Sequence, residues 1–504
     1  MTEVLYTHGR FYSAADPRAT AMLVRDGRIA WLGDSADTPA ADRTVDLDNG
    51  LVTPAFVDAH VHTTDTGLAV DGLELSGVRS AQELLAAVDR FAATRTESSI
   101  VHGHGWDEST WADQTVPSAA ELDRAAGGRR VYLSQASVHS ALASPALLAA
   151  AGLPTGESLV KEADHHAVRA LALNDLTPEQ RTTAQRAALA KAASLGIAAV
   201  HECGGPGTSS EADLTSVLKL SGQGLPQVFG YWGELGGALK AKELGAVGAA
   251  GDLYADGALG SSTASVREPF KTGGCGEAFV SVEQAAEHLL DCITVGVQGG
   301  FHAIGDAAIE TVLEGFALAA KSVGVDAVRA GRHRVEHVEL IDKAMIARMV
   351  EFGVIGSVQP VFDALWGGPD RMYAQRLGVE RAMASNPIGA MHATGVQLAF
   401  GSDSPVTALD PWAVVVAAAA PRNPVYRMSV RAAFAASTRG GWKAALVDHA
   451  GVLAPGQSAS FAVWDTPGGV REGLPALLPD VDGAAPERPI CRRTVGHGET
   501  IYEA

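Results

Sequence analysis

The sequence predicts an α/β protein: a TIM-like (β/α)8 barrel with a small β-sandwich formed from both chain termini and an insertion after the first barrel strand. Three observations predict it. Apolar strand-like runs alternate with capped helical segments through the middle of the chain. Both ends read as short strands and turns, and histidines and an aspartate recur where barrel strands should end. A chain of 504 residues suits one large barrel with satellites, since single cores stop growing at about 250–300 residues.

Up to Leu51 the chain reads as strands. AMLVRDGRIAWLG alternates about Asp26-Gly27, a two-residue hairpin signal, and VLYTHGRFYS and DRTVDLDNGLV give further strands. GVLAPGQSASFAVWD and CRRTVGHGETIYEA repeat this character at the other end, so residues 1–53 and 441–504 are read as one small β domain. Residues 54–440 are read as the barrel. Thr177-Pro178-Glu179-Gln180 is a capping box that opens a helix ending at Gly196, before the strand IAAVH. Asp342 opens a helix that stops at Gly353, before VIGSVQP. Asn386-Pro387 and Asp410-Pro411 open two more, the first ending at Gly395 before VQLAFGSD. The strands are continuous apolar runs, as expected when both faces are buried. The structural rival, a doubly wound open sheet, lacks a G-x-G-x-x-G after any strand. Residues from about 65 to 165 break the rhythm and are read as an insertion covering the site.

The formal charge of −19 excludes general attraction to a nucleic-acid backbone and disfavours anionic membrane surfaces. The four cysteines are scattered and form no C-x-x-C, which argues against a disulfide framework or a thiolate zinc site. The N-terminus lacks the basic start and apolar run of a signal peptide, and no stretch of about 18 apolar residues occurs. A cytoplasmic enzyme acting on a small molecule, with no nucleic-acid or membrane partner, is the expectation.

LVTPAFVDAHVH ends a buried strand in His60-x-His62, and alternation puts both imidazoles on one side, within reach of one ion. Alone, H-x-H is weak, and a second copy, His102-x-His104, lies in the insertion, where a structural or substrate-contacting role is expected. His302 and His337 each end an apolar run, and Asp403 follows GVQLAFGS. Each taken singly fits a hydrogen-bonded core histidine or a helix-capping aspartate; jointly, in barrel order, they point to a metal centre. Imidazole and carboxylate ligands without thiolate suit a catalytic Zn²⁺, with Mn²⁺, Fe²⁺ or Co²⁺ as alternatives.

These residues, with the longer phrases TPAFVDAHVH, GWDESTW, LYADGALGSSTA, FHAIGDAAIETVLEGF, RHRVEHVELID and FGSDSPV, resemble the amidohydrolase superfamily, and within it amidohydrolase family 3, which includes N-substituted formamide deformylases. The resemblance spans nearly the whole chain. It implies that His60 and His62 bind a first metal, that His302 and His337 bind a second or help hold the first and polarise the substrate, and that Asp403 is both ligand and general base. It implies a pocket lined by Trp106, His139 and Gln359, each of which buried packing would explain as well, and homodimers are a habit of such families. Many relatives carry, at the position of Asp252, a lysine that can be carboxylated to bridge two metals. The shorter Asp252 could bind one ion, or bridge two with a shift of metals or backbone, and Glu202 is another carboxylate at a strand end. Asp256 and its glycines are read as shaping a turn.

The activity implied is metal-dependent hydrolysis of a non-peptide carbon–nitrogen bond, in an amide, formamide or cyclic amide. The alternatives are a lyase, decarboxylase or isomerase on the same barrel, and a non-catalytic metal-binding relative. Tryptophans 106, 111 and 366 and the scarcity of basic residues near the motifs suggest a mixed pocket. Arg267 or Arg334 could clamp a substrate carboxylate, or Arg334 could pair internally with Glu336.

Overall fold

The helices begin and end where the sequence punctuates them. In the computed structural model, which describes residues 3–94, 100–108, 111–135, 140–467 and 487–504, Thr177 and Gln180 cap each other reciprocally at the head of helix Pro178–Ser194. Asp342 accepts from Met345 N at 2.9 Å to open Lys343–Phe352, and Gly353, with φ 66°, closes it. Asp410 likewise caps Pro411–Ala419, whose first residue is the proline that tolerates that position. Gly395 ends Ile388–Thr394 in the left-handed conformation.

Three of these helices connect successive strands of a single eight-stranded parallel sheet, and Pro411–Ala419 follows its last strand. Its strands are β1 (Phe56–Val61), β2 (Ile197–Gly204), β3 (Gln227–Trp232), β4 (Gly248–Ala249), β5 (Gln298–Ala303), β6 (Arg334–His337), β7 (Ile355–Val358) and β8 (Gln397–Phe400), neighbours in that order. A parallel bridge between Val61 and Ser404 joins the two ends of the sheet, with Asp403 N donating to His60 O at 2.8 Å and His62 N to Ser404 O at 2.9 Å. The sheet therefore closes as the α/β barrel the sequence predicts.

The terminal segments form two more sheets. One orders Arg28–Gly33, Ala21–Arg25, Glu3–Thr7 and Arg43–Asp46; the other orders Arg10–Phe11, Leu51–Pro54, Phe461–Asp465, Ile490–Gly496 and Glu499–Glu503. Tyr6, Met22 and Ile29 from the first and Phe11, Phe461 and Val495 from the second share one apolar core, so the two sheets face each other. The Asp26-Gly27 turn joins the first pair of strands, as its sequence predicts.

By contact the chain divides into two compact units, Met1–His62 with Ala190–Ala504, and Thr63–Leu189. The second has its own five-stranded sheet, ordered Leu159–Lys161, Ser140–Ala143, Val131–Gln135, Val101–Trp106 and Leu73–Glu74, and its own apolar core around Leu84, Val88, Val101 and Leu133. Among the described residues no helix is long and apolar enough to cross a membrane. All four cysteines are free thiols.

Closure of the barrel makes one glycine obligatory. A Cβ on Gly401 would stand 2.5 Å from His60 N and 3.0 Å from the Asp58 carboxylate, because β1 passes against the end of β8 there. Asp58 uses the same gap to accept from His60 N and Ser402 N. Gly401→Ala should therefore destabilise the protein by about 1–3 kcal/mol through overpacking. Denaturant unfolding of the variant beside wild type measures this, and coincident curves would refute the close-approach argument.

Candidate metal centre

Six of the residues singled out by sequence meet at the C-terminal ends of the barrel strands. His60 and His62 come from the end of β1, Asp252 from just after β4, His302 from β5, His337 from β6, and Asp403 from just after β8. The carboxylate of Asp252 is the hub. Its Oδ1 lies 3.4 Å from His60 Nε2, 3.5 Å from His302 Nδ1 and 3.7 Å from His337 Nε2, while its Oδ2 lies 3.2 Å from His62 Nε2. Asp403 Oδ1 stands 3.2 Å from His62 Nε2 and 3.5 Å from His60 Nε2.

Backbone geometry explains how two of these side chains reach the site. Arg334 and Glu336 share the inner face of β6, so regular alternation would turn His337 outward. Positive φ at His337 (69°) and Val338 (51°) swings the imidazole back in, and Asp403 likewise has φ 56°. Left-handed conformations at non-glycine residues store strain of about 1–3 kcal/mol and persist where surrounding structure enforces them. The Asp403 N to His60 O bond is one such constraint.

The donor set fits a divalent cation. Ligands about 2.0–2.1 Å from a tetrahedral ion stand about 3.3–3.4 Å apart. His60 Nε2 stands 3.4 Å from Asp252 Oδ1 and 3.5 Å from Asp403 Oδ1, and His62 Nε2 stands 3.2 Å from both Asp252 Oδ2 and Asp403 Oδ1. His60 Nε2, Asp252 Oδ1, His302 Nδ1 and Asp403 Oδ1 are buried atoms with no hydrogen-bond partner among the described residues. Buried polar atoms are ordinarily satisfied, so four unsatisfied ones around the Asp252 carboxylate fit a donor set for cations. Charge agrees with geometry. Burial disfavours charged imidazoles at His60 and His62, yet the facing Asp252 and Asp403 outweigh it, with Cys203 contributing at His60, and both pKa values stand well above the ordinary histidine value. Burial likewise opposes ionisation of Asp252 and Asp403, and the surrounding imidazoles overcome it, holding both below the usual carboxylate range. Two buried carboxylates thus draw positive charge into the pocket, as protons or as one doubly charged ion.

Beneath His60 lies a second layer. Its Nδ1 is 3.0 Å from Glu336 Oε2, and Glu336 takes two bonds from Arg334, at 2.5 Å from Nε and 2.9 Å from Nη2. Arg334 also donates to Ala59 O at 2.7 Å and Ser357 Oγ at 2.8 Å, lies 2.9 Å from His201 Nδ1, and sits over the Tyr231 ring. It is fully buried, so it is the internal partner of Glu336 and no clamp for a substrate. A carboxylate on Nδ1 puts the proton there and leaves the Nε2 lone pair for a metal. Gln359 treats His337 the same way, with Oε1 2.8 Å from Nδ1; the Gln359 Nε2 atom is buried with no partner among the described residues.

Trp106 is buried in the core of the 63–189 unit, its indole donating to Leu133 O at 2.8 Å, and His139 lies outside the described residues. His104 Nε2 meets Ala69 O at 2.7 Å, and neither His102 nor His104 joins a metal-type cluster among the described residues. Glu202 alternates with His201 and Cys203, which face Arg334 and His60, so it points away from the site. Arg267 is paired with Asp306 and Asp342. Asp256 accepts from Ser265, Ile304 and Gly305 backbone N–H groups, fixing a loop as expected. Sequence reasoning missed Cys203, whose sulfur clusters with His60 and Glu336, and Tyr254, whose hydroxyl is 3.5 Å from Asp252 Oδ2. It also gave Glu336 no role toward His60; an R-x-E on a buried strand was the available signal.

Known proteins share this organisation. The Amidohydrolase family model matches residues 43–502. Protein LONG AFTER FAR-RED 3 of Arabidopsis thaliana is 27% identical over 530 aligned residues, covering 92% of this chain and 88% of its own length. N-substituted formamide deformylase of Arthrobacter pascens is 22% identical over 449 residues, covering 81% of each chain. The crystal structure of an uncharacterized metal-dependent hydrolase from Pyrococcus furiosus superposes with a TM-score of 0.77 at 24% identity, over 92% of this chain and 98% of its own, which establishes the shared fold. With the match running from the N-terminal sheet through the barrel to the last strand, this chain belongs to the amidohydrolase family.

Proposed function

We propose that the protein is a metal-dependent hydrolase that cleaves a non-peptide carbon–nitrogen bond, in an amide, formamide or cyclic amide, in the cytoplasm. The observation that carries this reading is the set of buried, unpartnered lone pairs on His60, Asp252 and Asp403, with Asp252 Oδ1 and Asp403 Oδ1 3.4 and 3.5 Å from His60 Nε2, a spacing that suits ligands of one cation. On this reading His60, His62, Asp252 and Asp403 hold a divalent ion, taken as Zn²⁺ from the nitrogen and oxygen donors. His302 and His337 meet the other side of the Asp252 carboxylate and mark a second position.

When bound, such an ion supplies Lewis acidity that polarises a carbonyl and makes water acidic near neutrality. The chain's own groups supply the rest. Asp403 takes the proton of the attacking water and passes it to the departing nitrogen, which cannot leave as an anion. His337, its ring fixed from behind by Gln359 Oε1, stabilises the negative oxygen that develops at the carbonyl. The free amide N–H of Gln359 faces no protein acceptor among the described residues and donates to the substrate. The Phe362 ring lies parallel to His337 at 6.0 Å, with Trp366 against it at 4.8 Å, an apolar wall that limits water. The preference for a C–N bond draws support from the deformylase relative.

Elemental analysis of protein purified without chelator tests the reading: at least about one zinc-type ion per chain is expected, lost on chelation together with hydrolysis of a formamide panel. A chain that takes up no divalent ion after reconstitution would sink it. Asp403→Asn should lower kcat by about 10²–10⁴-fold, the usual worth of a positioned acid–base group, and solvent ¹⁸O should appear in the acid product of wild type. Glu336→Gln should weaken metal binding about 10–100-fold, because His60 loses the carboxylate that sets its tautomer; a competition titration with a metal-sensitive dye reads this without any substrate.

A further inference from the structure

Tyr254 stands beside the Asp252 carboxylate and takes no part in the mechanism. It follows Asp252 by two positions, and its phenol faces the Asp252 carboxylate. Its segment continues β4 along β5: Ala255 N donates to His302 O and His302 N to Leu253 O, both at 2.9 Å. The pairing sets the Tyr254 ring edge-on to His302 at 4.8 Å and brings its hydroxyl 3.5 Å from Asp252 Oδ2. On the other flank Gly207 crosses the ring so closely that a Cβ there would lie 2.9 Å from it. The ring is thus held between the loop after β2 and an imidazole of the site.

The structure assigns Tyr254 as a positioning residue for Asp252; this rests on the metal reading above. An aspartate carboxylate turns about a single bond. For it to serve two donor sets at once, Oδ1 must face His60, His302 and His337 while Oδ2 faces His62, and that requires one fixed plane. The phenol is a neutral donor that holds Oδ2 and so fixes the plane. The two sets depend on it unequally. His60, His62 and Asp403 supply three ligands to the first position without Asp252, whereas His302 and His337 supply only two to the second.

Tyr254→Phe removes the hydroxyl and keeps the ring. Co²⁺ titrated into the metal-free full-length chain, followed by its visible absorption, should show about two ions bound by wild type. In the variant the tighter site should keep its dissociation constant within about threefold, and the weaker should lose about 10–100-fold. Thermal unfolding of the two metal-free proteins should coincide, which separates positioning from a loss of fold. Unchanged affinity at both sites in the variant would overturn the assignment, as would a single Co²⁺ per wild-type chain, in which case one ion would stand and the shared carboxylate would not. Uptake of no Co²⁺ by wild type would overturn the metal reading with it.

Discussion

The buried ion pair of Arg334 and Glu336 is the constraint on which the rest of the centre depends. Both side chains are fully buried. Taking two charges out of water costs several kcal/mol per ion, and only excellent geometry with further hydrogen bonds offsets it. Here the guanidinium spends its donors on both Glu336 oxygens, on the Ala59 carbonyl, on the Ser357 hydroxyl and toward His201, with an aromatic face above it. Burial alone would protonate Glu336; Arg334 reverses that and keeps it far below the ordinary glutamate value. Burial and Arg334 together push His201 the other way, so it remains neutral. One strand, β6, therefore fixes the chemistry of β1, because the ionised Glu336 dictates which nitrogen of His60 is free.

That dependence crosses the barrel interior, since β6 and β1 are not neighbours in the sheet, and a closed barrel brings their side chains together. Gly300 on β5 leaves room for the Arg334 side chain, since a Cβ there would stand 2.9 Å from Arg334 Cγ. Gly401 after β8 leaves room for His60. The left-handed residues His337 and Asp403 then sit at strand ends where the alternation must be broken to bring a further ligand inward. Small residues below, strained residues above and a satisfied ion pair between them form one arrangement.

Much of this was legible in the sequence because it follows from period and punctuation. Capping residues at Thr177, Asp342 and Asp410 marked helix starts, and alternation paired His60 with His62. Strand ends located His302, His337 and Asp403. What could not be read depends on distances across the barrel. Glu336 looks like any carboxylate in a strand until Arg334 is seen to wrap it, and Tyr254 looks like a core aromatic until β5 registers it against His302. Glu202 was a fair candidate by type and place, yet alternation on β2 gives the inward positions to His201 and Cys203. Trp106 draws attention by its motif-rich phrase, and the structure shows its buried indole donating to Leu133 O.

Asp252 has a consequence for how the centre comes into being. A carboxylated lysine gains its negative charge only by reacting with carbon dioxide, so a site built on one is completed after translation and depends on dissolved bicarbonate. An aspartate is ionised as soon as the chain folds. With His60, His302 and His337 around it, its charge is further secured against protonation. The shorter side chain gives up reach and gains independence: on the proposed reading, every side chain that would hold the ion is complete as the gene encodes it.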